Sequence, residues 1–230
     1  MASRAAHRED LSALRRSAWP AYLREHSGLP GPRANLELAQ ALADVGDSKV
    51  YDALIDLDDE YLVLCGVIGL GQLLALGGDV QARLRFHATD PRWRIREGVA
   101  MALQRLGDAD FARLWTLARA WVDDADPLVQ RAAVAGVCEP RLLGTPDRAL
   151  RAVDLSELAT DSLAARSASD RNGDGVRALR KALGYCWSVA VAADPAPGLV
   201  RFRALEQRRD ADVAWVVREN SKKSRLARLL

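Results

Sequence analysis

The sequence predicts an all-α fold, a solenoid of stacked antiparallel helix pairs, and three observations carry that expectation. The octet Asp90–Glu97 (DPRWRIRE) returns 122 residues later as Asp212–Glu219 (DVAWVVRE), keeping Asp, Trp, a β-branched residue, Arg and Glu at identical spacing. A second recurrence is shorter in period: Asp58-x-x-Tyr61-x-Val63 aligns with Asp90-x-x-Trp93-x-Ile95 at an offset of 32, and Asp124-x-x-Pro127-x-Val129 follows at 34. Periods of this size suit a two-helix unit whose turn Asp caps the next helix. Finally, small residues recur inside apolar helical runs, at Gly66, Gly69, Gly98, Ala102, Ala132, Ala133, Gly136, Ala182 and Gly184. Glycine within a helix costs about 1 kcal/mol against alanine, so its repeated use points to helices that approach closely.

Taken in order, apolar residues three and four apart place a first helix over Glu9–His26, bent or split at Pro20. Ser27 to Pro32 breaks the chain. Asn35–Val45, closed by Gly46, and Ser48–Leu57 read as the first antiparallel pair. A long apolar helix around Leu62–Leu76 comes next, followed by Val80–Ala88, the Trp93 helix, Ala109–Val122 and the Pro127 helix. Residues 140–175 read as an irregular connection, with Ser167–Gly175 an exposed loop. Val176–Ala193, Pro197–Arg209 and Val213–Asn220 complete the series. The whole of 1–230 is thus expected as one domain: a capping helix and linker over 1–32, regular repeats over 33–139, the connection, and C-terminal repeats over 176–230. Trp93 and Trp215, three residues past their turn Asp, are expected to pack between repeats.

At 230 residues and 49% hydrophobic content the chain can bury a substantial core. Cys65, Cys138 and Cys186 lie far apart in apolar runs and read as buried thiols of a reducing, cytoplasmic compartment rather than a disulfide framework. The stretch from Met1 to Leu14 lacks a signal-peptide core, and Leu62–Leu76 is too short to span a membrane. His7, His26 and His87 share no face with cysteines or acidic pairs, so no metal site and no cofactor are expected, and Gly69-Leu70-Gly71 lacks the strand a dinucleotide turn needs. The net charge of +2 conceals a strong asymmetry: residues 31–80 hold two basic and nine acidic side chains, residues 171–230 thirteen basic and six acidic. A polyanion should therefore prefer the C-terminal part.

The unit D-P-x-x-x-x-R-x-x-[AG]-x-x-x-L over residues 35–230 resembles HEAT repeats, which implies a right-handed α-solenoid and a non-enzymatic module that binds or scaffolds a protein partner through its concave surface. A narrower resemblance is to the DNA-alkylation-repeat family of HEAT-like alkylpurine DNA glycosylases. It is carried by Asp126-Pro127-Leu128-Val129-Gln130-Arg131-Ala132-Ala133 and by Arg180-Lys181-Ala182-Leu183-Gly184-Tyr185. That resemblance implies DNA binding and alkylation repair, with Glu97 as the acid beside the sugar, Trp93 and Tyr185 as aromatic faces for a cationic base, and Arg131 near the DNA backbone. The family's pattern has an aromatic where Arg92 stands, an Asp where Glu97 stands and a Trp where Tyr185 stands.

On the scaffold reading, the second helix of each pair lines the concave face and aims Arg94, Arg131, Arg180 and Lys181 at a partner. The tail adds Arg218, Lys222, Lys223 and Arg225; continued as a helix, it would align Arg218, Lys222 and Arg225 for contact with a DNA backbone.

Overall fold

A computed structural model describes residues 3–230. Among these the chain forms fourteen α-helices and no strand, and none of the helices is long and apolar enough to cross a membrane. The chain divides into two compact units, Met1–Ala109 and Asp110–Leu230.

The first unit comprises α1 (Arg4–Ala13), α2 (Trp19–Glu25), α3 (Leu36–Val45), α4 (Ser48–Asp56), α5 (Glu60–Ala75), α6 (Gln81–Ala88) and α7 (Trp93–Ala109). Helices α1, α3, α5 and α7 pack one on the next, while α4 lies against α5 and α6 against α7. So α3 rests on α1 and α5 instead of forming the expected hairpin with α4. Helix α5 is buried almost throughout, which its all-round apolar sequence requires. Its glycines are contact points: the Tyr51 ring of α4 covers Gly69, and the Ala102 backbone of α7 abuts Gly71. The N-terminal helix breaks earlier than expected. Leu14 and Arg15 are extended, and Pro20 sits in the first turn of α2, where its missing N–H costs nothing.

The second unit holds α8 (Phe111–Val122), α9 (Pro127–Val137), α10 (Pro146–Ala164), α11 (Asp174–Ala193), α12 (Pro195–Glu206), α13 (Ala211–Ser221) and α14 (Ser224–Ala227). Here α9, α11 and α13 pack in succession, with α8 on α9, α10 on α11 and α12 on both α11 and α13. The segment expected as irregular between 140 and 175 contains a 19-residue helix, α10. Thr145 caps it and Pro146 occupies its first turn, so the proline that reads as a breaker is in fact a start. The connection from α10 to α11 is short, residues 165–173, and holds a single 3-10 turn at Asp170–Asn172. The tail also departs from expectation: α13 ends at Ser221, Lys223 is extended, and a single further turn buries Leu226 against α11 and α13. Arg218, Lys222 and Arg225 therefore do not share one continuous helix.

Turn aspartates do cap the helices. Asp47, Asp59, Asp110, Asp126 and Asp210 each accept hydrogen bonds from first-turn amides of the following helix. The matching octets, however, sit in different registers. Asp90 lies before the start of α7, receiving the Arg92 amide at 2.8 Å, whereas Asp212 is already in the first turn of α13 and Asp210 does the capping.

Candidate polyanion-binding face

Each sequence-nominated residue belongs to one of the two units. In the first unit, Trp93 opens α7 with 53% of its surface exposed, which corrects the expectation that it packs between repeats. Its neighbour Arg94 lays its guanidinium 4.6 Å from the Trp93 ring centroid and pairs with Glu60 at 3.2 Å. Glu97 is half-buried one turn further along α7. Among the described residues no group of histidine, cysteine, aspartate or glutamate side chains could hold a metal ion.

In the second unit the nominated residues gather on α9, α11 and α13. Arg131 is 7% exposed, so it faces the interior instead of presenting a cation to a partner. It lies close enough to the Cys186 thiol to favour its ionised form, and Tyr185 hydrogen-bonds the same thiol; burial dominates and pushes that thiol up. Arg131 and Tyr185 thus both act on Cys186, with the arginine inside.

Helix α11 divides its outward residues between two stripes. Arg180 and Gly184, four apart, face α13. A side chain at Gly184 would strike the Trp215 ring at 2.9 Å, and Arg180 places its guanidinium 5.0 Å from that ring's centroid while pairing with Asp212 at 2.5 Å. One step round the helix, Arg177, Lys181 and Tyr185 face solvent, Tyr185 with 36% exposed. The Lys181 side chain makes no ion pair and no hydrogen bond among the described residues. On α13, Trp215 is half-buried and Arg218 and Lys222 are exposed, Lys222 holding Glu219 at 2.7 Å. Lys223 and Arg225 are exposed beyond it.

Two residues that sequence reading passed over fix this arrangement. Asn220, fully buried, donates from Nδ2 to the Leu183 and Val216 carbonyls at 2.8 Å each and accepts the Ser188 amide at 2.8 Å. It thereby inserts between α11 backbone groups on either side of Tyr185, locking α13 to the turn that carries the tyrosine. Arg171 donates to Asp210 at 2.8 Å and Asp212 at 3.1 Å, and to the Ala164 carbonyl at 2.6 Å, tying the α10–α11 connection to the start of α13. An Asn at the end of an apolar helix was the only sequence signal for the first; none marked the second.

The basic excess of 171–230 persists in three dimensions. Four of its six acids, Asp174, Asp210, Asp212 and Glu219, are already held by Arg177, Arg171, Arg180 and Lys222. Lys181, Arg203, Arg209, Arg225 and Arg228 remain exposed with no ion pair among the described residues, Arg203 and Arg209 on and just after α12. No family model matches the chain, and no curated protein or solved structure does either.

Proposed function

We propose that the chain is a non-enzymatic binding module of HEAT-like helix pairs that holds a polyanion, a nucleic-acid backbone, on the α11–α13 face of its second unit. The observation that carries this reading is Lys181, an exposed cation without an ion pair on α11, a helix packed against α13 with its exposed Arg218 and Lys222. Phosphate contacts by such groups release counterions and supply sequence-independent affinity. Arg180 contributes less, because Asp212 already occupies it.

A labelled DNA duplex tests the reading. Binding is expected at low salt with a log–log salt slope of roughly −3, from three or four phosphate contacts. Lys181→Ala combined with Lys223→Ala weakens it and flattens the slope, while Arg94→Ala in the first unit leaves it unchanged. Absence of binding at low salt to duplex and to heparin alike rejects the proposal. The glycosylase pattern has less support, because Arg131, matched to the arginine near the DNA backbone, is buried.

A further inference from the structure

The α11–α13 face combines cations with aromatic rings in an order that a duplex backbone alone would not need. Tyr185 stands one turn beyond Lys181 on the solvent stripe of α11. Trp215 reaches over the adjacent stripe because residue 184 has no side chain, and Arg180 supports its ring. Asn220 fixes the turn between them through three buried hydrogen bonds. Unpaired bases offer flat faces that stack on aromatic side chains while their phosphates meet neighbouring cations.

We infer that this face takes single-stranded nucleic acid, stacking unpaired bases on Tyr185 and Trp215 and placing the phosphates between Lys181 on α11 and Arg218 and Lys222 on α13. The inference rests on the polyanion reading above and adds the state of the strand. The cations supply attraction to any polyanion; the two rings supply the preference for an unstacked strand, since in a duplex the base faces are already occupied by each other. Asn220 and Gly184 act as positioning residues: neither reaches the ligand, and both determine where the rings stand.

Fluorescence anisotropy with a labelled oligothymidylate of about twelve nucleotides, a duplex of the same length and heparin separates the possibilities. The oligothymidylate is expected to bind about tenfold more tightly than the duplex. Tyr185→Leu should weaken the single strand about tenfold and leave the duplex and heparin unchanged, while Tyr185→Phe, which keeps the ring, retains wild-type affinity. Trp215→Phe keeps packing on Gly184 and serves as a second, milder probe; thermal unfolding confirms that each variant is folded. Lys181→Ala should lower the salt slope on the single strand by about 0.7. Equal affinity for single strand and duplex, or an equal loss on both with Tyr185→Leu, overturns the inference while leaving the polyanion reading in place. Failure to bind any of the three overturns the polyanion reading itself.

Discussion

The two units treat their charge in opposite ways. In the first, the nine acids of residues 31–80 look from the sequence like a negative patch, yet six of them are met by arginines from outside that segment: Asp44 by Arg4 and Arg105, Asp47 by Arg16, Asp52 by Arg83, Asp58 by Arg92, Asp59 by Arg24 and Glu60 by Arg94. In the second, Arg201 and Arg208 are likewise met from outside their segment, by Glu157 and Asp161, but Lys181, Arg203, Arg209, Arg225 and Arg228 have no ion pair among the described residues. Segment charge thus becomes an external field where the fold brings it too few partners, as it does for the cations of the C-terminal segment.

The sharpest contrast between the units is steric. A methyl group at Gly71 would lie 2.4 Å from the Ala102 Cα and 2.6 Å from its carbonyl oxygen, so α5 and α7 would have to separate. Gly71→Ala is expected to cost about 3 kcal/mol or more in chemical denaturation. The same change at Gly184 meets only the edge of the half-buried Trp215 ring, which can swing outward, and should cost about 1 kcal/mol. Equal costs would show that the α11–α13 contact is as rigid as α5–α7, and that the aromatic face is core rather than surface.

Next in size is the Arg105 network. Arg105, buried on α7, donates to Asp44 at 2.8 Å and Gln72 at 2.6 Å and also bonds Gln40, joining three helices of the first unit. Arg105→Met leaves Asp44 to Arg4 alone and removes the donor shared by two glutamine side chains, with an expected loss of about 2 kcal/mol. Lys181→Ala, its counterpart in charge on the second unit, should be neutral within about 0.5 kcal/mol because no partner is lost.

Acid exposes the same difference. Burial alone would raise the Asp44 carboxyl, but hydrogen bonds from Arg4 and Arg105 outweigh it and hold the group below the usual carboxylate range. A carboxylate depressed in the folded state contributes its stability above its unfolded pKa, about 3.9, and loses that contribution as pH falls through the lower folded value. Unfolding followed from neutral pH down past about 4 should therefore steepen in wild type and flatten in Asp44→Asn. An unchanged profile would mean that the first unit's ion pairs contribute no acid sensitivity.

Much of the fold is legible in the sequence because it depends on local chemistry. The caps at Asp47, Asp59, Asp126 and Asp210, the glycines of α5 and the apolar spacing of α11 each act within a turn or two, and all appear where the residue types call for them. The opening octet match was less reliable, since four shared letters and a β-branched pair hide a shift in helix start between Asp90 and Asp212. Helix α10 was missed because Pro146 and Gly144 punctuate its start, and its buried Ala and Leu positions were hidden among polar neighbours. The candidate site was legible only as charge. Which arginines are already satisfied depends on partners 30 to 60 residues away, such as Asp212 for Arg180 and Asp44 for Arg105, and no local pattern records those pairings.

A smaller contrast lies between the two tryptophans that first tied the octets together. Trp215 lies against Gly184 under the Arg180 guanidinium and is half-buried, so Trp215→Ala should cost roughly 1 to 2 kcal/mol through lost contact area. Trp93 loses little on truncation, because more than half of it already faces water and its main contact is Arg94, which Glu60 continues to hold. An exposed cation–π contact is worth about 0.5 to 1 kcal/mol, so Trp93→Ala should fall within that range in urea denaturation. A loss of several kcal/mol at Trp93 would place it in a packed interior and restore the equivalence of the two octets; a small one leaves them matched in sequence and different in physical role.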